Sequence, residues 1–204
     1  MIVILDVGAP REGKSNYAKA MIMGKNKNKP VYVYDPKNEY GQTYETWING
    51  NRATVPGVGL IANDPRQMRS RYTGTEKGID PDYFLFIVLQ KRNTIIVVDE
   101  ATSILKGQLS KDWNNALTGR AHSGNSFIFI FHSLTTIPPD FIRNSSCDQI
   151  VLFKTMDNQA DIKTKFGSHL LNIGFDMQQR KPRKSDPTII DFTEGKINNQ
   201  EYKF

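Results

Sequence analysis

Residues 8–15 read Gly8-Ala9-Pro10-Arg11-Glu12-Gly13-Lys14-Ser15, the pattern G-x-x-x-x-G-K-S. In front of it stands Ile2-Val3-Ile4-Leu5, a short apolar run suited to a buried strand. Behind it, Asn16-Tyr17-Ala18-Lys19-Ala20-Met21-Ile22-Met23 suits a helix. Strand, glycine-bounded loop and helix form the context in which this spacing makes a phosphate-binding loop. Gly8 and Gly13 let the backbone wrap close to an anion with no Cβ in the way. Successive N–H groups and the N-terminus of the helix then face the phosphates. This reading assigns Gly8, Ala9, Pro10, Arg11, Glu12, Gly13, Lys14, Ser15 and Asn16 to nucleotide binding. Lys14 reaches the β- and γ-phosphates and the Ser15 hydroxyl ligates Mg²⁺, so ATP and Mg²⁺ are the implied cofactors.

A second constellation lies about ninety residues on. Thr94-Ile95-Ile96-Val97-Val98 is a continuous β-branched run, the pattern of a strand buried on both faces of a parallel sheet, and Asp99-Glu100 follows it directly. Parallel α/β sheets place ligands at the carboxyl ends of their strands. Asp99 is therefore expected to hold Mg²⁺, directly or through water, and Glu100 to orient and deprotonate an attacking water. A further apolar strand, Phe127-Ile128-Phe129-Ile130-Phe131, ends in His132-Ser133. Either His132 or Ser133 is placed to contact the γ-phosphate and report its loss. Gly119-Arg120-Ala121-His122-Ser123-Gly124 precedes that strand. An arginine at such a helix end can reach a neighbouring subunit's nucleotide and stabilise transition-state charge, with Arg143 as the rival to Arg120.

The rest of the chain alternates strands and helices. Val31-Tyr32-Val33-Tyr34-Asp35 reads as a strand ending in a carboxylate, after a polar, basic turn at 24–30. It is expected to lie between the P-loop strand and the acidic strand. Residues 41–80 are the least regular: 57–62 suggest a short strand, 65–71 a basic helix, and 72–80 an exposed loop. Residues 81–92 begin with proline and end basic, which suits a helix, although the apolar run inside also reads as a strand. Helices are expected near 113–117, from Pro138-Pro139 through Arg143, and over 157–171. Strands are expected at 149–153 and 188–192, with a basic linker at 179–184 between the last helix and the last strand. Alternating apolar strands and helices argue for an α/β sandwich with a mostly parallel central sheet.

Composition sets outer bounds. A chain of 204 residues fits one domain, 1–204, with a basic C-terminal extension at about 175–204. No stretch approaches the ~20 apolar residues that cross a bilayer, and the first strand begins almost at once, leaving no room for a signal peptide. The lone Cys147 excludes an internal disulfide and a multi-cysteine zinc site, and points to a reducing compartment. A net charge of +6 favours a polyanionic partner.

The adjacent Asp-Glu pair and the intervening strand resemble the additional-strand, catalytic-glutamate division of P-loop NTPases, and no guanine-reading N-K-x-D motif appears. Adding Tyr34-Asp35-Pro36-Lys37-Asn38-Glu39-Tyr40, the Gly119–Gly124 segment and Leu134-Thr135-Thr136-Ile137-Pro138-Pro139, the chain resembles the FtsK/HerA superfamily of DNA-pumping ATPases over about residues 1–170. With little beyond a motor core, it is similar to the genome-packaging ATPases of tailless icosahedral viruses with internal membranes. The resemblance implies a RecA-like three-layer α/β sandwich and ATP hydrolysis coupled to DNA translocation. It implies a homo-oligomeric ring, expected to be a hexamer, and sites in the host cytoplasm and at the virion's portal vertex, with capsid-vertex or membrane proteins as further partners. By the same resemblance Gly13, Lys14 and Ser15 bind phosphate and metal, Asp99 supports the metal, Glu100 is the base and Arg120 the trans finger. The superfamily commonly has glutamine where this chain has His132. Candidate contacts to DNA, largely independent of sequence, are Lys106, Lys111, Arg66, Arg69 and Arg71, and the cluster Arg180, Lys181, Arg183 and Lys184. Two alternatives stand beside this reading: a filamentous-phage assembly ATPase resembling zonula-occludens-toxin-like proteins, and a non-motor nucleotide switch.

Overall fold

Strands whose every residue is apolar have no solvent face, so they must lie in a sheet covered on both sides. The computed structural model of the protein has that arrangement. It describes residues 1–24, 29, 31–34, 47–48, 51–52, 58–64, 67–72, 84–85, 88–105, 107–143, 146–182 and 186–201. The strands are β1 (Val3–Val7), β2 (Val31–Tyr34), β3 (Trp47–Ile48), β4 (Asn51–Arg52), β5 (Val58–Asp64), β6 (Gln67–Tyr72), β7 (Ile95–Val98), β8 (Ser126–Phe131), β9 (Gln149–Leu152), β10 (Thr188–Asp191), β11 (Lys196–Ile197) and β12 (Gln200–Glu201). All but β3 and β4, which pair with each other, join one sheet in the order β12-β11-β10-β9-β1-β8-β7-β2-β6-β5. From β9 to β6 the neighbours are parallel. Antiparallel strands extend both edges. Residues 188–201 therefore continue the central sheet beyond β9.

The helices are α1 (Lys14–Gly24), α2 (Ala101–Ile104), α3 (Lys111–Thr118), α4 (Arg120–Ser123), α5 (Asp140–Arg143), α6 (Gln159–Phe166) and α7 (His169–Arg180), with a 3₁₀ turn at Leu134–Thr136. They make two layers. Helix α1 lays Tyr17, Ala18 and Met21 against Ile4, Val97 and Ile128. The other face carries Val3, Leu5, Phe127, Phe129 and Phe131 against Trp113, Leu117, Ile162, Leu171 and Phe175. Aromatic rings dominate that layer: Phe129 meets Trp113 at 5.6 Å and Phe141 at 5.1 Å, both edge to face. The expected three-layer, RecA-like sandwich with a mostly parallel sheet is what the chain forms.

Several expectations change. The strand that separates β1 from the acidic strand β7 in space is β8; β2 lies on the far side of β7. Chain order and sheet order part here because each crossover helix can carry the next strand past its predecessor. The basic helix expected at 65–71 is strand β6, paired with β2 and β5. Its sequence, Gln67-Met68-Arg69-Ser70-Arg71-Tyr72, has the period of two that a strand needs. The single helix expected at 157–171 is two, α6 and α7, because Gly167 turns left-handed at φ 65° and Ser168 caps the second helix through Leu171 N–H. Gln179 and Arg180 end α7 and do not begin a linker. Residues 84–85 and 88–89 are helical, with Phe84, Leu85 and Val88 buried. The segment 35–40, the turn residues 25–28, the loop 73–80, and Arg66, Lys106, Arg183 and Lys184 lie outside the described residues.

Candidate functional site

The P-loop follows β1 directly and is anchored to the ends of the two strands that flank it. Gly8 N–H donates to the Phe131 carbonyl at 3.2 Å, and Ala9 N–H to that of Lys154 at 2.8 Å. A Cβ on Gly8 would sit 2.5 Å from the Phe153 Cβ, so this glycine is required by the close approach of β9's end as well as by a phosphate. Gly13 takes φ 97°, a conformation open to glycine, and its carbonyl accepts the Tyr17 N–H at 2.9 Å, starting helix α1. Lys14 is nearly buried and its ammonium donates to the Ala9 carbonyl at 2.9 Å, inside the loop's curl.

Asp99 follows β7 and meets the loop from the side. The Ser15 hydroxyl is 3.5 Å from Asp99 Oδ2, while Asp99 Oδ1 accepts the Glu100 N–H at 2.8 Å. That amide bond accompanies a left-handed backbone at Glu100, φ 58° and ψ 33°, which is uncommon for a residue with a Cβ. His132, after β8, lies opposite. Its Nε2 is 2.8 Å from Glu100 Oε1 and 3.0 Å from Oε2. Pro10, Arg11, Gly13, Lys14, Ser15, Asn16, Asp99, Glu100 and His132 enclose one cavity of about 390 Å³. Of the sequence-predicted phosphate residues, Gly8, Ala9 and Glu12 shape the loop and do not line this space. A hydroxyl and a carboxylate side by side at the edge of the P-loop fit a magnesium ion shared with phosphate oxygens. Among the described residues no cluster of three or more His, Cys, Asp or Glu could hold a metal by itself.

Arg120 is not brought to this cavity. Its guanidinium donates to the Leu117 carbonyl at 2.8 Å and pairs with Asp148 at 3.1 Å. Asp148 in turn accepts the Val3 N–H at 2.6 Å. Val3 starts β1 and Asp148 immediately precedes β9, so Arg120 stands at the end of the strands opposite the P-loop. Of the expected DNA contacts, Lys111 is exposed, Arg180 pairs with Asp176 at 2.6 Å, and the Lys181 ammonium donates to the Asp186 carbonyl at 3.1 Å. Cys147 is buried, its thiol pushed up by burial and by Asp148.

Two acidic neighbours of the site escaped the sequence reading. Asp6, inside β1 and two residues before Gly8, is 1% exposed. Neither carboxyl oxygen has a hydrogen-bond partner among the described residues. Burial, opposed by Lys14 and reinforced by Asp99, holds its carboxyl well above the usual range. The signal was present: one charged residue in an otherwise apolar strand. Asp157 accepts from Ser133 Oγ, Thr135 Oγ1 at 2.8 Å and Leu134 N–H at 2.8 Å, and so fixes the loop that follows His132. Burial pushes its pKa up, but these bonds outweigh that and hold it below the usual carboxylate value. Its partners are more than twenty residues away, so nothing local announces it.

The fold and this constellation define a class: a RecA-like P-loop NTPase fold. Among solved structures the chain is similar to the genome packaging NTPase B204 from Sulfolobus turreted icosahedral virus 2. In the complex with ATP-gammaS, identity is 17% and the TM-score 0.66, over 99% of this chain and 98% of that one. In the complex with AMP, identity is 16% and the TM-score 0.69, over 98% and 96%. B204, the DNA-packaging ATPase from Sulfolobus Turreted Icosahedral Virus, aligns at 13% identity and TM-score 0.67, over 99% and 98%. At these identities the likeness speaks for the fold. No family model matches the sequence, and no curated protein does.

Proposed function

We propose that the chain is an ATPase that drives DNA translocation, packaging a viral genome as a homo-oligomeric ring. The observation that carries this is the convergence of Lys14, Ser15, Asp99 and Glu100 on one cavity at the carboxyl ends of β1 and β7. Lys14 neutralises charge on the β- and γ-phosphates. Ser15 and Asp99 would hold a magnesium ion, which when bound would shield phosphate charge. Glu100 takes the proton of the attacking water as its oxygen bonds to the γ-phosphorus and the bond to the ADP oxygen breaks. Arg120 stands at the far end of the strands from its own chain's P-loop, so on this reading it serves a neighbour's nucleotide across a ring interface. A ring also supplies a channel in which exposed basic groups such as Lys111 meet DNA phosphates without reading sequence. The likeness to B204, a genome-packaging NTPase, over nearly the whole length of this chain supports the same reading. On it, the protein works in the host cytoplasm and at the portal vertex of the virion, alongside capsid or membrane proteins. Among the described residues no helix is long and apolar enough to cross a membrane.

The test is ATP hydrolysis measured with and without double- and single-stranded DNA, across protein concentration and salt. Per-subunit turnover is expected to rise with protein concentration and with DNA, and the DNA effect to weaken with salt. Full turnover in a monomer, unmoved by any DNA, would refute the motor, and very slow, DNA-independent hydrolysis would favour a nucleotide switch.

A further inference from the structure

His132 was expected to face the γ-phosphate, yet its ring is committed elsewhere. A carboxylate only accepts hydrogen bonds, so at 2.8 and 3.0 Å from both Glu100 oxygens Nε2 is the donor. The other ring nitrogen, Nδ1, is buried and has no partner among the described residues. The ring thus offers the cavity one nitrogen, and Glu100 holds it.

Both sides of this contact are braced. The His132 backbone N–H donates to Thr102 Oγ1 at 3.1 Å, and Thr102 lies in α2, the helix that Glu100 caps. The loop beyond His132 is tied down by Asp157, and Lys165 donates to the Thr135 carbonyl. Glu100 keeps its left-handed backbone with its amide on Asp99 and its carbonyl accepting the Ser103 hydroxyl at 2.8 Å. A non-glycine residue in this conformation persists where its surroundings over-determine it, and such residues cluster at functional sites.

We propose that His132 is a positioning residue that acts through Glu100, aiming the carboxylate at the attacking water, and is not an independent γ-phosphate sensor. The reason is stoichiometric. One N–H cannot serve a carboxylate at this distance and a phosphate oxygen as well, so direct sensing would need Glu100 to be released. This inference rests on the reading of Glu100 as the base.

The experiment is a double-mutant cycle on the full chain: wild type, His132→Ala, Glu100→Gln and the double variant. Each is measured for affinity toward a fluorescent ATP with Mg²⁺ and for single-turnover hydrolysis, with thermal melting as the control for folding. His132→Ala is expected to slow hydrolysis by about 10–10²-fold, the scale of losing orientation of a reacting group, with nucleotide affinity within about threefold. In the Glu100→Gln background the same change is expected to cost nothing further, because the group it positions is gone. His132→Asn and His132→Gln, which keep a donor, are expected to recover part of the rate. Losses that multiply in the double variant, a loss of affinity beyond about tenfold, or unchanged hydrolysis in His132→Ala would each overturn the positioning role and leave the base assignment standing. Wild-type hydrolysis in Glu100→Gln would overturn the base assignment itself, and the proposal with it. If His132→Ala does not fold, the cycle is run with His132→Phe, which keeps a ring and removes the donor.

Discussion

Replacing Gly8 by alanine tests how the P-loop is built. The added Cβ would lie 2.5 Å from the Phe153 Cβ, 3.4 Å from its Cα and 3.5 Å from the Lys154 carbonyl oxygen. Carbon atoms rest at about 3.5–4.0 Å, so the loop and the end of β9 must part by about 1 Å. No rotamer relieves this, since both atoms are fixed to main chain. The separation acts directly on Phe153 N–H to the Val7 carbonyl, at 2.7 Å, and on Ala9 N–H to the Lys154 carbonyl, at 2.8 Å; lengthened by that much they cease to be hydrogen bonds. Overpacking of a tight core costs about 1–3 kcal/mol, and the upper end applies where two main-chain bonds go as well. For a chain of this size each kcal/mol moves the melting temperature by about 2–4 °C. A loss of about 3 kcal/mol therefore lowers Tm by about 6–12 °C, and nucleotide affinity falls with it. Calorimetry and titration with a fluorescent nucleotide measure both. Phe153→Ala provides the sharper check: it leaves the offending Cβ in place, so within a double-mutant cycle it should not rescue Gly8→Ala. A Gly8→Ala protein melting within about 1 °C of wild type, or rescue by Phe153→Ala, would refute the reasoning.

Two other outcomes follow from charge and assembly. Asp6 has its pKa raised in the folded chain, first by burial, so the stability linked to it is fullest below the ordinary carboxylate pKa and is lost as pH rises through the folded value. Asp6→Asn is therefore expected to melt higher than wild type at pH 8, with the gap closing toward pH 4; destabilisation at pH 8 would mean that an ionised Asp6 is needed against Lys14. For Arg120 the measurement is mixing: Glu100→Gln subunits, which keep the arginine, with Arg120→Ala subunits, which keep the base, should regain part of the hydrolysis that each lacks alone. No recovery in rings shown to be mixed would leave Arg120 with the role seen within the chain, bracing Asp148.

The nucleotide half of this protein was legible in its sequence because it is local. Eight consecutive residues define the P-loop, and its strand and helix adjoin it. Asp99-Glu100 was legible for the same reason, as two acids ending a β-branched run. The sandwich followed from apolar strands that only a doubly covered sheet can bury. Strand order did not follow, since β8 rather than β2 separates β1 from β7, and chain order alone does not say where a crossover lands. Nor could position in the chain decide what polar side chains do once folded. His132 sits at the strand end where a phosphate contact was expected, but the fold turns its one available nitrogen onto Glu100, thirty-two residues away. Arg120 precedes the same strand, and the direction of β8 carries it to the opposite end from the P-loop, beside Asp148. Residue type and spacing determined which chemistry this chain can hold. Partnerships between polar groups distant in sequence were settled only by tertiary packing, because a buried donor or acceptor must take the partner that folding brings within about 3 Å.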